Sequence, residues 1–195
     1  MKRTLVSMLA MLAMFGPTRA QTLGGVERLA CEALLCLSSG TRPSECSPAL
    51  AHYFGIQKRI MPDTIEARFS FLRMCPMGMW PGEMTELADA ISRGAGRCTA
   101  DELNLLLRFL NSNQQEEIRS TMPDYCRVYF GHGYTDLGNL KPKYVGQPRL
   151  GGRWVEAEDY DEAVGLWDRY LQDWYDGRLI NGPTIWWYPL YARKK

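Results

Sequence analysis

Residues 31–76 read CEALLCLSSGTRPSECSPALAHYFGIQKRIMPDTIEARFSFLRMCP and hold four of the six cysteines of the 195-residue chain. Three short helix patterns share this stretch, and each meets a cysteine near one end. It reads as a disulfide-stapled helical core, with the rest of the chain as elaboration.

The first helix is expected from Gly25 to Leu37. Val26, Leu29, Ala30, Ala33, Leu34 and Leu37 recur at the i, i+3, i+4, i+7 spacing of one buried face, and Ser38-Ser39-Gly40 stops the pattern. Cys31 and Cys36 lie on this helix, five residues apart. At ~1.5 Å rise per residue they are separated by about 7.5 Å along the axis, more than the roughly 7 Å that a disulfide spans between Cα atoms. Each must therefore pair elsewhere. The second helix opens at Ser47, an N-cap type, with Pro48 at the favoured first position. Leu50, Tyr53 and Phe54 form its inner stripe and Gly55 ends it. Antiparallel packing of these two helices brings Cys36 beside Cys46 across a short loop, so Cys36–Cys46 is the first expected bridge. The third helix is expected to start at Asp63, with Glu66 completing a capping box. Ile65, Phe69 and Leu72 mark its inner face, and Cys75-Pro76 closes it. An up-down-up arrangement then gives Cys31–Cys75.

The N-terminus is read separately. Lys2 and Arg3 precede an apolar run from Leu5 to Phe15, Gly16-Pro17 breaks it, and Thr18-Arg19-Ala20 offers small residues at the positions a signal peptidase reads. Residues 1–20 are thus expected to be a secretory signal peptide cleaved after Ala20, which places the mature chain in the periplasm. The run is shorter than the roughly 20 apolar residues a membrane span needs. No cysteine follows the break to carry a lipid, and no later segment reads as a transmembrane helix. Loss of Lys2, Arg3 and Arg19 takes the formal charge from +1 to −2. Such a balance, without clustered Lys and Arg, argues against nucleic-acid binding. Six cysteines in an exported chain read as a disulfide framework. Metal binding is disfavoured, because the spacings contain no C-x2-C knuckle and only His52 and His132 stand by to assist. No cofactor is expected.

Beyond the core stretch, Met77-Gly-Met-Trp80-Pro-Gly82 is a loop that either contacts a partner or, as favoured here, lies back over the helices. A fourth helix is expected over Glu83–Arg93, with Met84, Leu87, Ala88 and Ile91 inward. Thr99 and Glu102 open a fifth, whose Leu103, Leu106, Leu107 and Leu110 face inward. Leu105 and Phe109 widen its apolar arc, making it a candidate for the central helix. A short helix near Gln114–Ser120 follows, and a helical hairpin gives Cys98–Cys126 as the third bridge. After Met122-Pro123 the composition turns to Tyr, Trp, Gly and Pro. Residues 131–152 read as irregular or short strand pieces. A long helix is expected from Asp159 to Tyr175 with Tyr160, Val164, Trp167, Leu171 and Trp174 on its packing face. The aromatic tail that follows contains Trp186, Trp187 and Tyr188. With Trp80, these are the candidate interaction residues. A tail packed on the long helix would instead be structural, and the sequence leaves both readings open.

The expected class is therefore mostly α: an irregular, disulfide-stapled helical bundle over 21–126. An aromatic-rich, irregular region over 127–195, containing one long helix, is packed on the bundle or appended to it. No catalytic motif is found. With every cysteine assigned to a bridge, no thiol nucleophile remains. Glu83, Glu86, Glu102, Glu116 and Glu117 are available on helices for glycoside chemistry, but caps, first-turn charges and solvated faces account for most of them. A Glu-Ser pair of the lytic transglycosylase kind is absent. His52 reads as an edge residue and His132 as an isolated loop residue. The chain is not expected to be an enzyme.

The segments Cys31-Glu-Ala-Leu-Leu-Cys36-Leu-Ser, Cys46-x3-Leu50-x2-Tyr53-Phe54-x-Ile56 and Phe71-Leu72-x2-Cys75-Pro76 resemble the TrbM family of conjugal transfer proteins, also called KikA. Gly151-Gly152-Arg153-Trp154-Val155 and the helix from Tyr160 look like that family's C-terminal half. The resemblance implies a part in plasmid mating-pair formation of the type IV secretion kind. It supplies no catalytic residues. The reading that follows is an exported accessory component that binds other envelope components of the conjugation machinery, with peripheral association to a membrane complex. A peptidoglycan-acting wall enzyme and a host-killing or exclusion factor are the alternatives.

Overall fold

The computed structural model describes residues 24–76, 82–178 and Trp187. Helix α1 spans Gly25–Ser38, α2 Ser47–Gly55, α3 Met61–Leu72, α4 Gly82–Gly94, α5 Ala100–Leu106, α6 Asp124–Gly131 and α7 Tyr160–Tyr175. Strands β1 (Arg108–Leu110) and β2 (Glu116–Ile118) form one antiparallel ladder, and β3 (Lys143–Val145) and β4 (Arg153–Val155) form another. The fold is mostly helical and carries three disulfides: Cys31–Cys75, Cys36–Cys46 and Cys98–Cys126.

Helix α1 is the hub. Its Ala30, Ala33, Leu34 and Leu37 are buried, and it packs on α2, α3 and α4. Small Ala30 and Ala33 let the neighbouring helices approach closely, and Cys31 and Cys36 tie two of them covalently. The main core gathers Leu37, Tyr53, Leu72, Ile91 and Leu103, all essentially inaccessible. Each aliphatic side chain so buried contributes roughly 1.5–3 kcal/mol. Tyr129, Leu137 and Trp154 join the same core from beyond residue 126. A second cluster of Val145, Val155, Ala163, Trp167 and Tyr170 lies between the β3–β4 ladder and α7.

Several local expectations are corrected. Helix α3 begins at Met61, not Asp63, and no side chain caps it. Pro62 in its first turn already has the helical φ and lacks an N–H that would go unpaired there, so the Asp63–Glu66 box is not used. Its buried face is Thr64, Arg68, Phe71 and Leu72, turned from the Ile65–Phe69–Leu72 stripe. Ser47 is the first residue of α2 and makes no cap, because a 3-10 turn over Ser44–Cys46 runs straight into the helix. Thr99 does cap α5, its hydroxyl accepting the Glu102 N–H at 3.3 Å.

The largest departure lies at residues 105–120. Helix α5 stops at Leu106 instead of continuing through Leu110, and residues 116–118 are a strand, not part of a helix. Asn111 is the cause: its Oδ1 accepts the N–H groups of Asn113 and Gln115, at 2.8 and 3.0 Å. Gln114 sits at a φ of 62°. This Asn-built turn reverses the chain, and Arg119 N then donates to Leu107 O at 3.1 Å, extending the ladder. Leu105, Leu106 and Leu110 are consequently exposed, so α5 is neither long nor central. Helix α6 starts after Pro123, where no helix is expected from the sequence, and it carries Cys126 in its first turn. In α7 the most buried positions are Ala163, Trp167 and Tyr170, while Trp174 is exposed. The inner face is thus rotated from the expected stripe, with Tyr160, Val164 and Leu171 at its flanks.

Candidate interaction site

Of the four candidate interaction residues, Trp80, Trp186 and Tyr188 lie outside the described residues. The Trp187 ring faces the Arg153 guanidinium, whose carbon is 3.7 Å from the ring centroid, and it packs against the second cluster. Contact with β4 therefore engages at least one face of this indole. His52 stacks on Phe71 with centroids 4.6 Å apart, and His132 Nδ1 accepts the Tyr134 N–H at 3.2 Å. Both histidines serve local structure.

The glutamates weighed for chemistry are scattered. Glu83 and Glu86 are exposed on α4, and Glu102 lies in the first turn of α5. Glu116 and Glu117 are on β2, where Arg108 pairs with Glu116 at 3.6 Å and Asn111 Nδ2 donates to Glu117 at 2.7 Å. Among the described residues no group of three His, Cys, Asp or Glu side chains is placed to hold a metal ion. None of the described helices is long and apolar enough to cross a membrane.

Two clefts are more informative. The first, of about 340 Å³, lies over the Cys98–Cys126 bridge, between the end of α4, α6 and the turns at 138–140 and 157–159. Phe54, Phe130, Leu137 and Leu140 give it apolar walls. Gly94 and Gly96 floor it because larger residues do not fit: a Cβ at Gly94 would lie 2.5 Å from the Tyr129 side chain, and one at Gly96 2.8 Å from Phe54. The Tyr129 hydroxyl donates to Leu37 O at 2.7 Å. Burial pushes this phenol up to about 12, against the opposing pull of Arg42. Arg42 is anchored through Nε to Cys36 O at 3.3 Å. Glu156, which sequence reasoning did not single out, accepts the Ala100 N–H at 2.8 Å. No sequence pattern marks it, because the α5 amide it meets lies 56 residues away along the chain.

The second cleft, of about 550 Å³, separates β2 from the 3-10 turn Pro148–Leu150. The Arg119 guanidinium lies over Phe109, 5.3 Å from its centroid. Tyr144 Oη donates to Ile118 O at 2.8 Å and Trp154 Nε1 to Arg119 O at 3.0 Å. Two aromatic side chains thus hold the β2 backbone in place. Arg149 faces the same opening from the turn.

On the opposite side of the hairpin, alternation along β1 sends Leu110 away from Phe109. Leu105, Leu106 and Leu110 are 56%, 48% and 61% exposed, three large apolar side chains within six residues. Sequence reasoning buried Leu106 and Leu110, because leucines at helical spacing look the same whether the helix continues or a turn intervenes. A family model described as TrbM matches residues 22–168, well over half of the chain. No curated protein and no solved structure matches it.

Proposed function

The chain belongs to the TrbM family, a family of conjugal transfer proteins, and from that premise we propose that it is an exported accessory component of a plasmid mating-pair-formation machine that binds other envelope components and performs no catalysis. Three disulfides suit an oxidising compartment such as the periplasm. The signal-peptide pattern over residues 1–20 supports the same location. The observation that carries the binding role is the exposure of Leu105, Leu106 and Leu110 at the end of α5 and in β1, where apolar side chains remain to be covered.

The test is a mating assay on a plasmid deleted for this gene. Transfer is expected to fall and to be restored by the full chain. It is not restored by a chain lacking residues 2–20, nor by Leu105→Ser/Leu106→Ser/Leu110→Ser, which exports and folds normally. Unchanged transfer on deletion overturns the proposal. Harm to the host when the chain is expressed alone would point to killing instead, and a cleared band on a peptidoglycan gel would point to an enzyme.

A further inference from the structure

The second cleft is built for negative charge. Arg119 and Arg149 line it, and neither makes an ion pair among the described residues. The one acid in its wall, Glu117, accepts a hydrogen bond from Asn111 Nδ2. Ser120, Thr121 and Gln147 supply hydroxyl and amide groups around the arginines. The Arg119 guanidinium carbon lies over the Phe109 ring, 5.3 Å from its centroid, and a guanidinium has several N–H groups to offer a planar anion. The Arg119 backbone is fixed by Trp154 Nε1.

We infer that this cleft, between β2 and the 148–150 turn, docks an acidic segment of a partner protein, with Arg119 and Arg149 pairing to its carboxylates. The inference rests on the reading of the chain as a partner-binding component. Two features favour a peptide over a phosphate-bearing polymer or a lipid headgroup. The cleft is larger than one anion requires. Its hydroxyl and amide groups suit a peptide backbone. The hairpin tip, Asn111-Ser-Asn-Gln-Gln115, is polar, and the exposed Leu110 beside it points to the face away from Phe109 and this cleft.

The experiment uses the oxidised full-length mature protein and a short fluorescein-labelled peptide of alternating Glu and Leu, read by fluorescence anisotropy. Binding is expected to weaken with added salt and to vanish when Gln replaces Glu in the peptide. Arg119→Gln/Arg149→Gln is expected to bind about tenfold more weakly, the loss of one or two charge-assisted contacts. Arg149→Gln alone, on an exposed turn, keeps the test open should the double variant misfold, and several-fold weakening is expected there. Equal binding by wild type and variants overturns the inference. So does binding to phosphatidylglycerol vesicles without binding to the peptide. A transfer defect on gene deletion combined with no peptide binding overturns the site but leaves the transfer role standing. Arginine-dependent peptide binding with normal transfer on deletion does the reverse.

Discussion

Asn104 and the backbone of Trp154 exchange two hydrogen bonds. Asn104 Nδ2 donates to Trp154 O and the Trp154 N–H donates to Asn104 Oδ1, both at 2.8 Å and both buried. The side-chain amide acts as a one-residue strand and pairs with β4 across fifty residues of sequence. This contact couples α5 to the β3–β4 ladder, and through Trp154 it reaches Arg119 O. The helical core, the second cluster and the arginine cleft therefore share one polar joint.

Asn104→Ala should cost about 3 kcal/mol, because it leaves a buried N–H and a buried C=O unpaired at roughly 1–3 kcal/mol each. Asn104→Asp keeps the acceptor but sets a carboxylate against the Trp154 carbonyl, so it should be no better. Urea unfolding measures both. Equal stability of Asn104→Ala and wild type would show that water replaces the pair.

Gly94→Ala should destabilise by about 1–3 kcal/mol, the usual cost of overpacking. Its Cβ would meet the Tyr129 Cβ and Cγ, each at 2.5 Å, and α4 and α6 must separate to admit it. Gly131→Ala, at a site with no atom within 4 Å of the added carbon, should change stability by less than about 1 kcal/mol. A thermal melt of both proteins decides whether the close approach, and not the loss of a glycine, is what matters.

The helices that position the core were legible because their patterns are long and bounded. Ala30, Ala33, Leu34 and Leu37 repeat cleanly, and Ser38-Ser39-Gly40 has no helical continuation. The bridge between Cys36 and Cys46 follows from a short loop, and that between Cys31 and Cys75 from helix order. Residues 105–120 were not legible. Leu103, Leu106, Leu107 and Leu110 keep helical spacing, while the deciding interaction is a side-chain turn at Asn111 that periodicity does not register. Arg68 was missed for a different reason. A buried arginine contradicts its usual exposure, yet its guanidinium stacks on Tyr53 and Phe54, with its carbon 4.9 and 5.6 Å from their centroids. Its Nε donates to Ile56 O at 3.2 Å. The two clefts draw residues from distant segments, so no local pattern announces them.

The bridges should differ in weight. Cys31–Cys75 closes a separation of 44 residues and Cys36–Cys46 one of 10. In the chain-entropy account they restrict the unfolded chain by about 4 and about 3 kcal/mol. Cys31→Ser/Cys75→Ser should therefore unfold at lower urea than Cys36→Ser/Cys46→Ser. The reverse order would mean that native packing around Cys36 and Cys46, both buried, outweighs chain entropy.

Tyr129 should make stability fall in alkali. Burial raises its phenol from 10.0 to about 12, with Arg42 acting in the opposite sense, so the folded chain holds the neutral form while the unfolded chain ionises. The associated stabilisation is present in full below pH 10 and is lost as pH rises towards 12. The total is about 2.7 kcal/mol at roughly 1.36 kcal/mol per unit. Tyr53, raised further by burial, adds a loss that continues to higher pH. At pH 8, Tyr129→Phe should be the less stable protein by about 1 kcal/mol, having lost the bond to Leu37 O. Between pH 10 and 12 that gap should close and then reverse, since phenylalanine has no proton to lose. Arg42→Ala separates the causes: without the guanidinium the phenol pKa rises further, and the decline continues to higher pH than in wild type. A gap between Tyr129→Phe and wild type that stays constant across this range would show that the phenol is not held neutral. The Arg42 substitution would then leave the alkaline limb where it was.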